Sequence, residues 1–136
     1  MRPRLRLLTH LPRILIVDDE AAIGRALSMA LTRDGWSCVQ ATSAEQAQAK
    51  LREEMFDAMI LDLRLSDMRG DVLLHVAASL QPHLADHALF MTGDISAKAE
   101  ALIEATHCPF VRKPFDLTDV LAELRRMVPQ RETGTA

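Results

Sequence analysis

Three carboxylates in a row, Asp18, Asp19 and Glu20, follow four aliphatic residues in the stretch ILIVDDE. Two carboxylates about 4 Å apart repel by roughly 4 kcal/mol at an effective dielectric near 20. Such a group splays into water, shares a proton or holds a cation. Single polar residues close three later apolar runs in the same way: Asp62 after AMIL, Thr92 after LFM, and Lys113 after FVR. Clustered carboxylates suit a hard divalent cation, and magnesium takes few protein oxygens together with waters and a phosphate. A carboxylate can also attack phosphorus to give an acyl phosphate. Phosphoryl transfer needs positioning and positive charge on the transferring oxygens. Lys113 and a cation would provide that charge, and Thr92 a hydrogen bond. Asp62 closes the central apolar run and is the candidate nucleophile. Each residue alone has a plainer reading, since an Asp or Thr after a strand often caps a helix and a lone Lys is usually solvated. Complementary charge at four run ends favours the chemistry.

For these residues to meet, the runs must be neighbouring strands. RILIV, WSCVQ, DAMILD, HALFM and PFVRK read as five short strands. Helical stretches separate them. Residues 20–34 carry Ile23, Leu27, Ala30 and Leu31 on one stripe and end before Gly35, a suitable C′ residue. Ser43 and Gln46 have capping-box spacing at the head of the second helix. GDVLLHVAASL is a third helix that Pro82 helps to end, DISAKAEALIEA a fourth, and DLTDVLAELRRMV a fifth with Leu117, Val120, Leu121, Leu124 and Val128 as its stripe. Five β–α units imply an α/β fold, a parallel sheet with helices on both faces and right-handed crossovers. Ligands of such sheets bind beyond the carboxyl ends of the strands, where strand order reverses. The polar residues stand at those ends.

The 136 residues include 16 Lys and Arg and 19 Asp and Glu, a net charge of −3 that gives no general reason to expect nucleic acid. Residues 1–11 form a basic extension; the first thirteen residues hold four arginines and no acid, and a solvated leader is favoured over an anionic-surface contact. His10 and Pro12 interrupt any signal-peptide core, and no run approaches the ~20 apolar residues of a membrane span. Cys38 and Cys108 have no metal or redox spacing, which suits a reduced, cytoplasmic setting. Residues 129–136 read as a flexible tail.

ILIVDDE, MILDLRLSDMRGDVLL, LFMTGD and FVRKPFD, in this order and at these separations, make residues 12–128 resemble a response-regulator receiver domain of two-component signalling. The resemblance implies a doubly wound five-stranded parallel sheet, the flavodoxin-like (βα)5 fold. It implies that Asp62 takes a phosphoryl group from a histidine kinase or histidine phosphotransfer protein. Magnesium would be held by Asp18, Asp19, Asp62 and the backbone carbonyl of Arg64. Lys113 would pair with the phosphoryl group, and the Lys113–Pro114 bond would be cis. Thr92 and Phe110 would be the switch residues, with Phe110 read otherwise as plain core. The output would run through the fourth-helix, fifth-strand and fifth-helix face, residues 95–128, to a downstream protein effector or a homodimer partner. Such a chain is a signalling switch that catalyses only its own phosphorylation and dephosphorylation, without direct contact to nucleic acid.

Some residues depart from the family pattern. Ser66 stands where proline is usual, implying a more mobile loop 63–69, and ATHCPF lacks the usual Gly-Ala pair before the fifth strand. Arg64 either tunes acyl-phosphate hydrolysis or faces solvent. Asp67 and Asp71 read as loop and helix-start residues, and the five histidines as incidental. Two other functions remain open at this point. An aspartate-nucleophile phosphohydrolase would want an Asp where Arg64 stands, and an unphosphorylated interaction module would have no use for the full acidic set. With no further domain after Val128, the chain reads as a stand-alone receiver or a piece of a longer regulator, and Met1 favours the former.

Overall fold

Ile14, Leu15, Ile16 and Val17 have no exposed surface, because helices cover both faces of their strand. The computed structural model describes residues 11–94 and 96–129. It contains β1 (Arg13–Val17), α1 (Ala21–Arg33), β2 (Ser37–Ala41), α2 (Ala44–Glu53), β3 (Ala58–Asp62), α3 (Gly70–Leu80), β4 (Ala88–Thr92), α4 (Ala97–Glu104), β5 (Phe110–Arg112) and α5 (Leu117–Met127). The strands form one parallel sheet in the order β2-β1-β3-β4-β5. The fold is the flavodoxin-like α/β arrangement that the alternating pattern implies.

Strand alternation divides the core in two. Leu15, Val17, Met59, Leu61 and Phe90 face α2, α3 and α4, packing with Leu51, Leu73, Ala77 and Ile103. Ile14, Ile16, Ile60, Leu89 and Met91 face α1 and α5, packing with Leu27, Leu31, Val120 and Leu124.

Sheet order reverses between β1 and β3, and register brings the site residues together there. Val17 pairs with Leu61, so the next residues, Asp18 and Asp62, leave the sheet side by side. Asp62 pairs with Met91, one residue before Thr92. Thr92 pairs with Arg112, and its carbonyl accepts from the Lys113 N–H at 2.9 Å.

Local chemistry sets the boundaries. Gly35 ends α1 with φ +96°, where a side chain is strained. The Ser43 hydroxyl accepts from the Gln46 N–H at 3.0 Å, but the Gln46 side chain reaches back to the Thr42 N–H at 2.8 Å, one residue further than a capping box requires. The second strand starts one residue later than the sequence pattern suggests. Trp36 is buried in the α1–α5 core instead, its indole donating to Asp34 at 3.1 Å. Pro82 does more than end α3, because Pro82–Asp86 form a 3-10 turn leading into β4. The Lys113–Pro114 bond is cis. Among the described residues no helix is long and apolar enough to cross a membrane. Of the basic extension, residues 1–10 lie outside the described residues, as do residues 130–136 of the tail.

Candidate functional site

The acidic group expected at the rim is formed. One carboxylate oxygen each from Asp18, Asp19 and Asp62 lies within 4.8 Å of the others. Asp18 and Asp62 are buried, at 1 % and 7 % exposure, whereas Asp19 faces water. Lys113 crosses from the end of β5 to meet them. Its Nζ donates to Asp62 Oδ2 at 2.7 Å and lies 2.8 Å from Asp18 Oδ2 and 3.5 Å from Glu20 Oε1.

The two buried carboxylates are held differently. Asp62 is satisfied on both oxygens, since Oδ1 accepts from the Arg64 N–H at 3.0 Å. Asp18 Oδ1 accepts from the Glu20 N–H at 2.9 Å. Asp18 Oδ2 is buried and meets the Lys113 ammonium at 2.8 Å as an ion pair without a well-aligned hydrogen bond. Burial works to lower the Lys113 pKa, but the two carboxylates outweigh it and hold the ammonium above its usual 10.5. Three carboxylates thus pair with one ammonium, and a fourth, Asp19, lies beside them. An acidic excess containing a buried oxygen with no hydrogen bond fits a divalent cation bound by oxygen.

Thr92 is buried at the end of β4, and its hydroxyl accepts from the Asp94 N–H at 2.9 Å. The Asp94 side chain extends the network, with Oδ1 accepting from the Ser96 N–H at 2.9 Å and Oδ2 from Arg64 Nε at 2.7 Å. These partners hold the Asp94 carboxyl at about 2, the Ser96 backbone N–H first and the Arg64 guanidinium second. Asp94 had no role in the sequence reading; its position after Thr-Gly was the available signal. Arg64 faces solvent, as one of its two expected settings requires, but it is not unpartnered. Its side chain is 72 % exposed yet is tied across the mouth of the site to Asp94.

Phe110 is 37 % exposed and so is not core. It lines a cleft of about 460 Å³ between β5 and α5 with Arg112, Phe115, Asp119 and Glu123. The loop after Asp62 has no proline but is tethered. Gly70 N–H donates to Leu63 O at 2.7 Å, Arg64 and Arg69 form an isolated bridge, and Asp67 accepts from the Ala44 and Glu45 N–H groups at 2.9 and 3.0 Å. Asp67 therefore helps cap α2 from a distant loop, which its position in the sequence does not reveal. Gly70 is needed for close approach, since a Cβ there would lie 2.2 Å from the Asp62 carbonyl oxygen.

A parallel α/β sheet with an acidic pocket, a hydroxyl and a lysine at its switch point defines a class of phosphoryl-handling signalling domains. The chain belongs to the response regulator receiver domain family, whose sequence model matches residues 14–125. It is therefore a receiver domain of the two-component type. It is 34% identical over 122 residues to the probable transcriptional regulatory protein TcrX of Mycobacterium tuberculosis, covering 89% of this chain and 50% of that protein. The chain thus spans half the length of that relative. In structure it is similar to a CheY-like response regulator receiver domain protein from Methanospirillum hungatei, with TM-score 0.80, 29% identity, and 91% of this chain and 99% of that one covered. It is also similar to a Burkholderia pseudomallei response regulator with a phosphorylated aspartic acid, calcium ion and citrate, with TM-score 0.75, 25% identity, and 83% and 66% covered.

Proposed function

We propose that Asp62 is the phosphoacceptor of this receiver domain, taking its phosphoryl group from a phosphohistidine of a histidine kinase or phosphotransfer protein. The observation that carries the reading is the setting of Asp62. It is a buried carboxylate at the sheet's switch point, with one oxygen bonded to the Lys113 ammonium and the other to a backbone N–H. In the transfer, one Asp62 oxygen attacks phosphorus, an O–P bond forms as the P–N bond to histidine breaks, and the imidazole leaves with the electron pair and takes up a proton. Asp18, Asp19, Asp62 and the backbone carbonyl of Arg64 would hold magnesium. A bound divalent cation supplies charge neutralisation at the transferring oxygens. The Burkholderia relative, with its phosphorylated aspartic acid and calcium ion, supports both assignments.

The other residues act on the transferred group. Lys113 already touches Asp62 and turns its ammonium to a phosphoryl oxygen without leaving the pocket. Thr92 exchanges the Asp94 amide for the phosphoryl group, its hydroxyl becoming the donor. Phe110, now exposed, moves inward beside the displaced Thr92 and reshapes the α4–β5–α5 face. That face is where a downstream protein effector or a second copy of the chain binds in a phosphorylation-dependent way. The setting is cytoplasmic, and the chain's chemistry is confined to gaining and losing its own phosphoryl group.

Incubation with magnesium and acetyl phosphate, followed by intact-mass measurement, tests the reading. The expected result is an adduct of ~80 Da, the mass of a phosphoryl group, that is absent in Asp62→Asn. Turnover without an adduct would indicate a hydrolase instead, and neither adduct nor turnover would indicate an interaction module.

A further inference from the structure

We infer that Arg64 is a second phosphoryl-binding cation, kept in reserve by Asp94 until Asp62 is modified; this rests on Asp62 being the phosphoacceptor. The two loops that flank Asp62 are joined by one ion pair. Arg64 Nε donates to Asp94 Oδ2 at 2.7 Å. The Arg64 backbone N–H donates to Asp62 Oδ1 at 3.0 Å, and the Asp94 backbone N–H donates to the Thr92 hydroxyl at 2.9 Å. These bonds link Asp62, Arg64, Asp94 and Thr92 in one continuous chain of polar contacts that begins at the Asp62 carboxylate.

The pair is asymmetric. The Asp94 side chain is 15 % exposed and is fixed by its second bond to the Ser96 N–H, whereas the Arg64 side chain is 72 % exposed. The guanidinium can leave while the carboxylate stays. A phosphoryl group on Asp62 presents more negative charge than a carboxylate and three acceptor oxygens. Guanidinium matches that group through paired N–H donors. Arg64 exchanges Asp94 for a phosphoryl oxygen, so Asp94 and the segment leading into α4 lose their tie to the loop after β3. The exchange links modification of Asp62 to the β4–α4 segment through the Asp94 side chain, in addition to the change at the Thr92 hydroxyl.

The test uses the full chain and beryllofluoride, which forms a phosphoryl-like adduct on a carboxylate, with its affinity titrated at saturating magnesium. Arg64→Ala is expected to weaken beryllofluoride about tenfold, the scale of a lost hydrogen bond between charged groups. Asp94→Asn, which removes the competing carboxylate, is expected to tighten it severalfold, and to have no effect once Arg64 is alanine. Arg64→Lys recovers part of the loss. The Arg64 Nε–H resonance should move on adduct formation in the unsubstituted protein. Melting curves of each variant confirm a folded protein, so a change in affinity reports binding. Affinity unchanged in Arg64→Ala, or an Asp94→Asn effect of equal size with and without Arg64, overturns the inference and leaves the phosphoacceptor reading intact. Absence of beryllofluoride binding in the unsubstituted protein overturns both.

Discussion

The Lys113 ammonium lies between two carboxylates that the fold has taken out of water. It hydrogen-bonds one and only approaches the other. Asp18 Oδ2 is left in a charge pair without directional satisfaction, a costly state for a buried oxygen. A residue outside the pocket shows the opposite balance. Asp67 sits on the surface, and its carboxylate is held below 3.8 first by the Ala44 N–H and then by the Glu45 N–H, both at the positive end of α2. A carboxylate held below its unfolded value adds stability above that value, and the gain is lost as pH falls through the folded pKa. Asp67→Ala is therefore expected to melt below the unsubstituted protein at neutral pH. The gap should close as the pH drops below about 3.8, and calorimetry across a pH series measures it. A gap that persists undiminished in strong acid would mean that Asp67 acts through something other than its charge.

At the scale of elements, the segment from Asp62 to Gly70 carries the chain from a buried strand end over the acidic pocket to α3. Its closure depends on a missing side chain. A Cβ on Gly70 would meet the Asp62 carbonyl oxygen at 2.2 Å and Leu63 Cα at 2.9 Å, both backbone atoms with little room to yield. Overpacking of this kind costs about 1–3 kcal/mol, and displacement of the Asp62 backbone moves the proposed nucleophile as well. Gly70→Ala should shift the urea midpoint downward by that amount and slow labelling by acetyl phosphate. A variant with unaltered midpoint and labelling rate would refute the close-approach argument. The strands β1, β3 and β4 were legible in the sequence because their burial on both faces demands runs of apolar residues. Helix stripes and the Gly35 stop were legible because each is set by neighbours in the chain. Gln81 was not legible. It is a buried amide that accepts from the Phe56 N–H and donates to the Leu51 and Glu54 carbonyls, serving three backbone groups far from it in sequence. The Arg64–Asp94 pair was hidden for the same reason, as no periodicity encodes which two loops face each other. The acidic pocket was readable only because strand ends of a doubly wound sheet converge by rule.

For the molecule as a whole, the sheet is graded from its centre outward. All five residues of β3 and of β4 are buried, as are four of β1, while β2 has one and β5 none. β5 is also the shortest strand, with three residues at an edge. Local opening follows sparse apolar contact and exposed backbone. Amide hydrogen exchange should therefore be slowest in β1, β3 and β4, faster in β2, and fastest in β5. This gradient makes the strand that contains Phe110 and leads into Lys113 the least buried, where a change at Asp62 has least structure to overcome. Formation of the beryllofluoride adduct should slow exchange in β5 and the start of α5 by more than it does in β1 or β2, because β5 leads into Lys113 at the pocket and has no buried residue of its own. Equal slowing across all five strands would mean that the adduct stabilises the fold as one unit. Exchange in β5 as slow as in β3 before any addition would mean that the sheet has no soft edge through which the site can act.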